Sequence, residues 1–190
     1  MIREKNCKIL MYLAPGFEEI EAVTIIDLLR RAGLDVTVAG LRAEQVTGSH
    51  QITIVPDIFY GDVNPDDYDC LVLPGGQPGS THLKNDTRVL QTITTYHQEN
   101  KLIAAICAAP TVLAAADILK NKKVTSYPSE KDVFKSSDYQ ESTVVTDGMI
   151  VTSRGVGTAI EFSLELIRII KGEAAMKEQA ARILWDRERN

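Results

Sequence analysis

Short apolar runs closed by glycine or proline alternate along this chain with longer stretches whose apolar positions recur every three to four residues. Lys8-Ile-Leu-Met-Tyr-Leu13 is one such run, ended by Ala14-Pro-Gly16, and predicts a buried strand. Residues 17–31 follow with apolar side chains at Ile20, Val23, Ile26, Leu28 and Leu29, acids at the start and two arginines at the end, the pattern of a helix matched to its own macrodipole. Gly33 stops this helix and residues 35–40 predict the next strand, so the first forty residues form one βαβ unit.

The alternation continues. Strands are predicted at 52–55, 70–73 and 101–106, and helices at 86–99, 108–119, 158–171 and 173–184, the last two separated by Gly172. Residues 144–146 and 149–152 predict a hairpin joined at Asp147-Gly148, a favoured two-residue turn. No repeat, low-complexity tract or long linker divides the chain. The expectation is a single α/β domain over residues 1–190: a flavodoxin-like three-layer sandwich with a mostly parallel central sheet, helices on both faces and a small antiparallel hairpin. Ligands in such sheets gather at the carboxyl ends of the strands, which singles out the loops 14–21, 74–79 and 107–110.

Composition narrows the function. The 190 residues are 44% hydrophobic and 25% charged, ordinary for one well-filled core. With 26 acidic against 21 basic residues and no block of Lys or Arg, the net charge of -5 offers no footprint for nucleic acid or an anionic membrane. No apolar run approaches the roughly 20 residues that cross a bilayer, and residues 1–8 are polar rather than signal-like, so a cytoplasmic location is expected. Cys7, Cys70 and Cys107 are an odd number without close spacing; free thiols are expected, and neither a disulfide framework nor a metal site.

Cys107 lies between an apolar strand and a helix with Pro110 in its first turn, among the small residues Ala104, Ala105, Ala108 and Ala109. That placement suits a nucleophile elbow, with the helix N-terminus favouring thiolate; a buried structural thiol fits the same pattern. Gly75 and Gly76 directly follow a strand and suit either a tight turn or a pair of amides cradling an oxyanion. Of the three acids near the first helix start, Glu18 and Glu19 suit dipole partners, whereas Glu21 can turn inward, and a desolvated carboxyl beside a thiol can exchange a proton with it. His50, His82 and His97 all precede Cys107 and are poorly placed to complete a Cys-His dyad.

With these loops assembled, the chain resembles the ThiJ/PfpI superfamily, in the branch of the Parkinsonism-associated protein deglycase and its bacterial YajL-like relatives. The resemblance spans roughly residues 8–181 and rests on five ordered blocks: Gly16-Phe-Glu-Glu-Ile-Glu-Ala-Val23, Arg30-Arg-Ala-Gly33 with Val36-Thr-Val-Ala-Gly40, Leu73-Pro-Gly-Gly76, Ile103-Ala-Ala-Ile-Cys-Ala-Ala-Pro110 and Thr152-Ser-Arg-Gly155. It implies that Cys107 is an oxidisable nucleophile, that Glu21 hydrogen-bonds it, and that Gly75, Gly76 and Ala108 supply backbone amides around it. It also implies a homodimer, no cofactor, and small reactive carbonyls or glycated amines as substrates, through a glyoxalase or deglycase activity. A redox-responsive or chaperone role of the same thiol is the alternative. Where the deglycase has histidine in a Thr-Thr-His-Pro stretch, this chain reads Thr125-Ser-Tyr-Pro128, which puts Tyr127 beside the site; His50 and Val156 stand where that relative has arginine and proline. The superfamily's peptidases resemble a pattern with histidine directly after the cysteine, and its amidotransferases one with a downstream His-x-Glu pair; this chain has neither.

Overall fold

Alternate residues of the first strand, β1 (Lys8–Leu13), enter opposite sides of a sheet: Ile9 and Met11 pack on one face, Leu10 and Tyr12 on the other, all fully buried. A strand buried on both sides must have helices on both sides, and the computed structural model, which describes residues 7–42 and 44–185, has that form. The N-terminal residues 1–6 and the charged tail 186–190 lie outside the described residues.

In chain order, β1 is followed by α1 (Glu19–Arg31), β2 (Asp35–Gly40), β3 (Val46–Thr47), β4 (Thr53–Ile54) and β5 (Ile58–Phe59). Next come β6 (Cys70–Leu73), α2 (Gly79–Asn85), α3 (Thr87–Gln98), β7 (Leu102–Ile106), α4 (Pro110–Ala115), β8 (Lys123–Val124) and β9 (Asp138–Tyr139). The chain then runs through β10 (Val144–Asp147), β11 (Ile150–Ser153), α5 (Ala159–Lys171) and α6 (Glu173–Arg182). The main sheet has the order β10-β11-β7-β6-β1-β2-β5 and is parallel except for the β10–β11 hairpin. Side chains of α2, α3 and α4 close one face; those of α1 and α5, backed by α6, close the other. None of the described helices is long and apolar enough to cross a membrane.

The differences from expectation have local causes. Residues 53–54 pair only with β3, off the main sheet; the sheet edge beside β2 is taken instead by β5, beyond Pro56. The helix expected over 108–119 is limited to the six residues of α4, because Asp117 adopts φ 57° just past its end. In the hairpin Asp147 pairs with Ile150, so the two-residue loop is Gly148-Met149 with Gly148 at φ 62°, a II′-type arrangement rather than an Asp-Gly turn. Helix α2 was not expected; it ends where Asp86 caps α3. The Oδ1 of Asp86 accepts from the amides of Arg88 (2.9 Å) and Val89 (3.2 Å), and Oδ2 accepts from the Tyr60 hydroxyl (2.9 Å). Asp86→Ala is therefore expected to cost about 1–2 kcal/mol in urea unfolding. Because the Asp86 side chain, among the described residues, bonds only Tyr60, Arg88 and Val89 and neither Cys107 nor Glu21, the alkylation rate of the Cys107 thiol should not change.

Helix α1 reverses the usual polarity at its start. Ala22, Ile25, Leu28 and Leu29 face the core as the 3.6-residue period requires, but Glu21 shares their stripe and is 0% exposed, while Ile20 and Val23 face outward.

Candidate functional site

Four neighbouring strands, β11, β7, β6 and β1, end in loops that meet at one edge of the sheet. The chain leaves β1 for β2 on one side and returns to β6 on the other, so the gap beyond β1 and β6 is the topological switch point of the sheet. Glu21 follows β1, Gly75 and Gly76 follow β6, Cys107 follows β7 and Gly155 follows β11.

Cys107 has φ 63°, in the left-handed region that costs a non-glycine residue about 1–2 kcal/mol. Neighbouring backbone holds it there: its N–H donates to the Ser153 carbonyl (3.0 Å) and its carbonyl accepts from the Tyr127 N–H (2.8 Å). The sharp turn lifts the side chain off the strand end while leaving it only partly exposed. Sequence patterning expected this elbow.

Glu21 is positioned by its own helix start. Glu18 is the N-cap of α1, and its Oε2 accepts from the Glu21 amide at 2.7 Å. The Oε2 of Glu21 accepts from the Gly75 amide at 2.9 Å; Oε1 is buried without a hydrogen-bond partner among the described residues, and the Cys107 thiol lies beside the carboxyl. A Cβ placed on Gly155 would stand 3.7 Å from Sγ, 3.9 Å from Oε1 and 3.4 Å from the Tyr127 ring, so the missing side chain at Gly155 leaves the space over both groups open.

The glycine pair is required by close approach. A Cβ on Gly75 would stand 2.6 Å from the Cys107 Cβ and 2.8 Å from Glu21 Oε2, and Gly76 has φ 92° with the Glu18 amide packed against it. The amides of Gly76 and Ala108 donate to the Cys107 sulfur. Gly75 differs from the expectation of a shared oxyanion cradle: its amide is committed to Glu21, so it fixes the carboxyl and leaves Gly76 and Ala108 as the donors at sulfur.

The electrostatics also differ from the expectation of a helix-activated thiolate. Burial, then the Glu21 charge and its hydrogen bond, hold the Cys107 thiol up at about 12, against the smaller opposite effect of the two amides. Helix α4 is only six residues long and begins at Pro110, which limits its dipole. Burial raises Glu21 to about 7, offset in part by the Gly75 and Cys107 hydrogen bonds. The two groups compete for one proton. Moving it from sulfur to Glu21 removes the negative charge that opposes thiolate and leaves a carboxylic acid able to donate to sulfur.

Tyr127 is half exposed, with its backbone bonded to Cys107 and its ring beside Gly155. Cys70, in β6, and Cys7, just before β1, are buried, and desolvation pushes both thiols up, Cys7 to about 12. Among the described residues no histidine hydrogen-bonds Cys107 or Glu21; His82 contacts the Pro15 carbonyl (2.9 Å), and His50 contacts Glu19 (3.0 Å). Three contributors escaped the residue pattern. Glu18 acts as a cap, although Glu is an uncommon one. Glu19 is buried and latches the 48–52 loop through the amides of His50 (2.6 Å) and Ile52 (3.4 Å), rather than acting as a simple dipole partner. Gly155 belongs to a sequence block that gives it no role; its position just past a strand end is the available signal.

Comparison with known proteins agrees with this geometry. The DJ-1/PfpI family model matches residues 7–169. Protein dj-1beta of Drosophila melanogaster is 44% identical over 178 residues, covering 92% of this chain and 95% of that protein. The Parkinson disease protein 7 homolog of Danio rerio is 40% identical over 183 residues, covering 93% and 97%. The crystal structure of Drosophila DJ-1beta superposes with a TM-score of 0.92 at 42% identity, covering 95% of this chain and 99% of that one. Oxidized Toxoplasma gondii DJ-1 superposes with a TM-score of 0.91 at 38% identity, covering 94% and 98%. Fold, strand-end loops and overall likeness thus converge, and the chain belongs to the DJ-1/PfpI family.

Proposed function

We propose that this protein is a cysteine-dependent, cofactor-free enzyme acting on small reactive carbonyls, by glyoxalase III-type conversion of methylglyoxal to lactate, by deglycation of early glyoxal adducts, or by both. The observation that carries this reading is the fully buried Glu21 carboxyl, raised to about 7 and facing the Cys107 sulfur. A carboxyl tuned to neutral pH is suited to both accepting and returning a proton.

In this mechanism Cys107 and Glu21 are the catalytic residues. The thiol proton passes to Glu21 as sulfur attacks the aldehyde carbon, and the alkoxide formed beside the Gly76 and Ala108 amides takes that proton to give a hemithioacetal. Glu21, again a carboxylate, removes the hydrogen from the former aldehyde carbon as a proton and delivers it to the neighbouring carbonyl carbon, while the hydroxyl proton of the first carbon passes to the oxygen of the second, which leaves a lactoyl thioester. Water hydrolyses the thioester, releasing lactate and the free thiol. The aldehyde carbon is oxidised and its neighbour reduced, so no external electron acceptor enters. Gly75 holds the carboxyl, and Tyr127 supports the Cys107 backbone and walls the opening.

Lactate formation from methylglyoxal by the reduced protein, with chelator present, tests the reading beside Cys107→Ala and Glu21→Ala. Both variants are expected to lose turnover; wild type no faster than Cys107→Ala overturns it.

A second reading, in which Cys107 is oxidised to sulfinate as a stress signal, is favoured by the likeness to a DJ-1 solved in an oxidized form. A protonated Glu21 can donate a hydrogen bond to such a sulfinate. The missing histidine partner weighs against a peptidase or amidotransferase. Pairing as a homodimer fits the outward apolar side chains of α1 and the β4 segment, Ile20, Val23, Ile52 and Val55, which are 48–75% exposed. Three free cysteines fit work in a reducing cytoplasm.

A further inference from the structure

We propose that Gly155 is a specificity-determining residue: the room left by its missing side chain takes the substituent on the second carbonyl carbon of the substrate, which suits the site to 2-oxoaldehydes carrying a small alkyl group. The inference rests on the carbonyl reading above and selects a substrate class within it. The loops around the sulfur are closed on one side and open on the other. A Cβ on Gly75 would stand 2.6 Å from the Cys107 Cβ and 2.8 Å from Glu21 Oε2, and one on Gly76 would run into the Glu18 amide, so no substrate atom enters there. The same atom on Gly155 would lie 3.7 Å from Cys107 Sγ, 3.9 Å from Glu21 Oε1 and 3.4 Å from the Tyr127 ring, ordinary contact distances for a carbon.

The two oxygens of Glu21 decide what fills that room. Oε2 is bonded to the Gly75 amide, whereas Oε1 is buried without a hydrogen-bond partner among the described residues and lies on the Gly155 side. Oε1 is therefore the oxygen free to carry a proton from the first substrate carbon to the second, and both carbons must come within its reach. With the first carbon bonded to sulfur and its oxygen turned to the Gly76 and Ala108 amides, the substituent of the second is left against Gly155. The room is also fixed. Gly155 is buried, its N–H donates to Thr158 Oγ1 (3.0 Å), and its carbonyl accepts from the Thr158 N–H and Oγ1, both at 2.8 Å. Ser153, whose carbonyl takes the Cys107 N–H, places its own Oγ 2.7 Å from Thr158 Oγ1, so the loop is tied to the strand end that carries the thiol and cannot back away from an added methyl group.

The test compares kcat/KM for methylglyoxal and for glyoxal, which has hydrogen where methylglyoxal has methyl, in the full chain as wild type, Gly155→Ala and Gly157→Ala. Gly155→Ala should keep glyoxal turnover close to wild type and lose methylglyoxal turnover by roughly tenfold or more, the usual effect of one methyl group too many in a filled site. The φ of Gly155, 160°, is extended backbone that alanine adopts, so this variant should melt near the wild-type temperature. Gly157→Ala is the control in the same loop: its Cβ would meet nothing within 4 Å, and both substrates should be turned over as by wild type. If wild type turns over neither aldehyde, the carbonyl reading falls and this inference with it. If wild type is active but Gly155→Ala loses both substrates equally, or neither, the inference alone is overturned.

Discussion

Replacing Glu21 by glutamine is expected to lower methylglyoxal turnover by roughly 10²–10⁴-fold, the usual contribution of a positioned acid–base group, while making the protein more stable at pH 8. Glutamine keeps an oxygen for the Gly75 amide and loses the buried charge. The sign follows from the direction of the shift. The carboxyl is raised from 4.5 to about 7 in the fold, so the folded state holds the proton more tightly than the unfolded chain. Its stabilising contribution is complete below pH 4.5 and is lost as pH rises through about 7. At about 1.4 kcal/mol per pH unit, wild type forgoes about 3 kcal/mol by pH 8, and the glutamine variant should recover most of it. The gain should vanish near pH 4. Urea unfolding at the two pH values measures it, and a variant less stable than wild type at pH 8 would sink the claim that the carboxyl is held there at a cost. Thiol alkylation gives an independent reading: the carboxylate charge helps hold the thiol up at about 12, so the wild-type rate should rise only at high pH, and removing that charge should move the rise downward, to values that burial still keeps above the ordinary thiol pKa of 9.0.

The second large effect is expected at Gly75. An alanine there would bring its Cβ to 2.6 Å from the Cys107 Cβ, 2.8 Å from Glu21 Oε2 and 2.9 Å from the Ile106 carbonyl. None of these neighbours is a flexible side-chain end. The Cys107 backbone is already in the left-handed region and bonded on both sides, and the carboxyl is bonded to the Gly75 amide itself. Relief must come from moving strand ends apart, at a cost of about 1–3 kcal/mol for overpacking in a tight interior. Gly75→Ala should therefore lower the melting temperature and also lose turnover by at least tenfold, since a misplacement of about 1 Å between reacting groups is enough for that. A variant that melts lower yet keeps full turnover would show that the contact supports the fold without positioning the pair.

Much of this architecture was legible along the chain. The bounds of β1, β2 and β6 follow from short apolar runs closed by Pro, Gly or a charge, because such a run can be satisfied only by a strand covered on both faces. The βαβ rhythm then dictates a mostly parallel sheet and directs chemistry to the strand ends, which places Cys107 and the Gly75-Gly76 pair at one edge. Weak segments were harder. Residues 53–54 and 58–59 both carry apolar side chains, and only the turn at Pro56 together with the free edge of β2 decides which of them joins the sheet.

What a one-dimensional pattern could not contain is how the fold uses its polar groups. Three glutamates crowd the start of α1, and composition alone makes them equivalent partners of the helix dipole. Different partners separate them: Glu18 caps its own helix, Glu19 latches a loop about thirty residues further on, and Glu21 takes the Gly75 amide in the loop after β6 and becomes the buried partner of the thiol. The same holds for His50, which meets Glu19 only because the latched loop folds back over the helix start. The sequence by itself determined the α/β layering and the elbow cysteine, since periodicity, turn residues and local chain geometry act over a few neighbours. Only the tertiary structure decided the thiol's protonation and the Glu21–Gly75 bond, since desolvation and charge coupling depend on groups brought together across tens of residues.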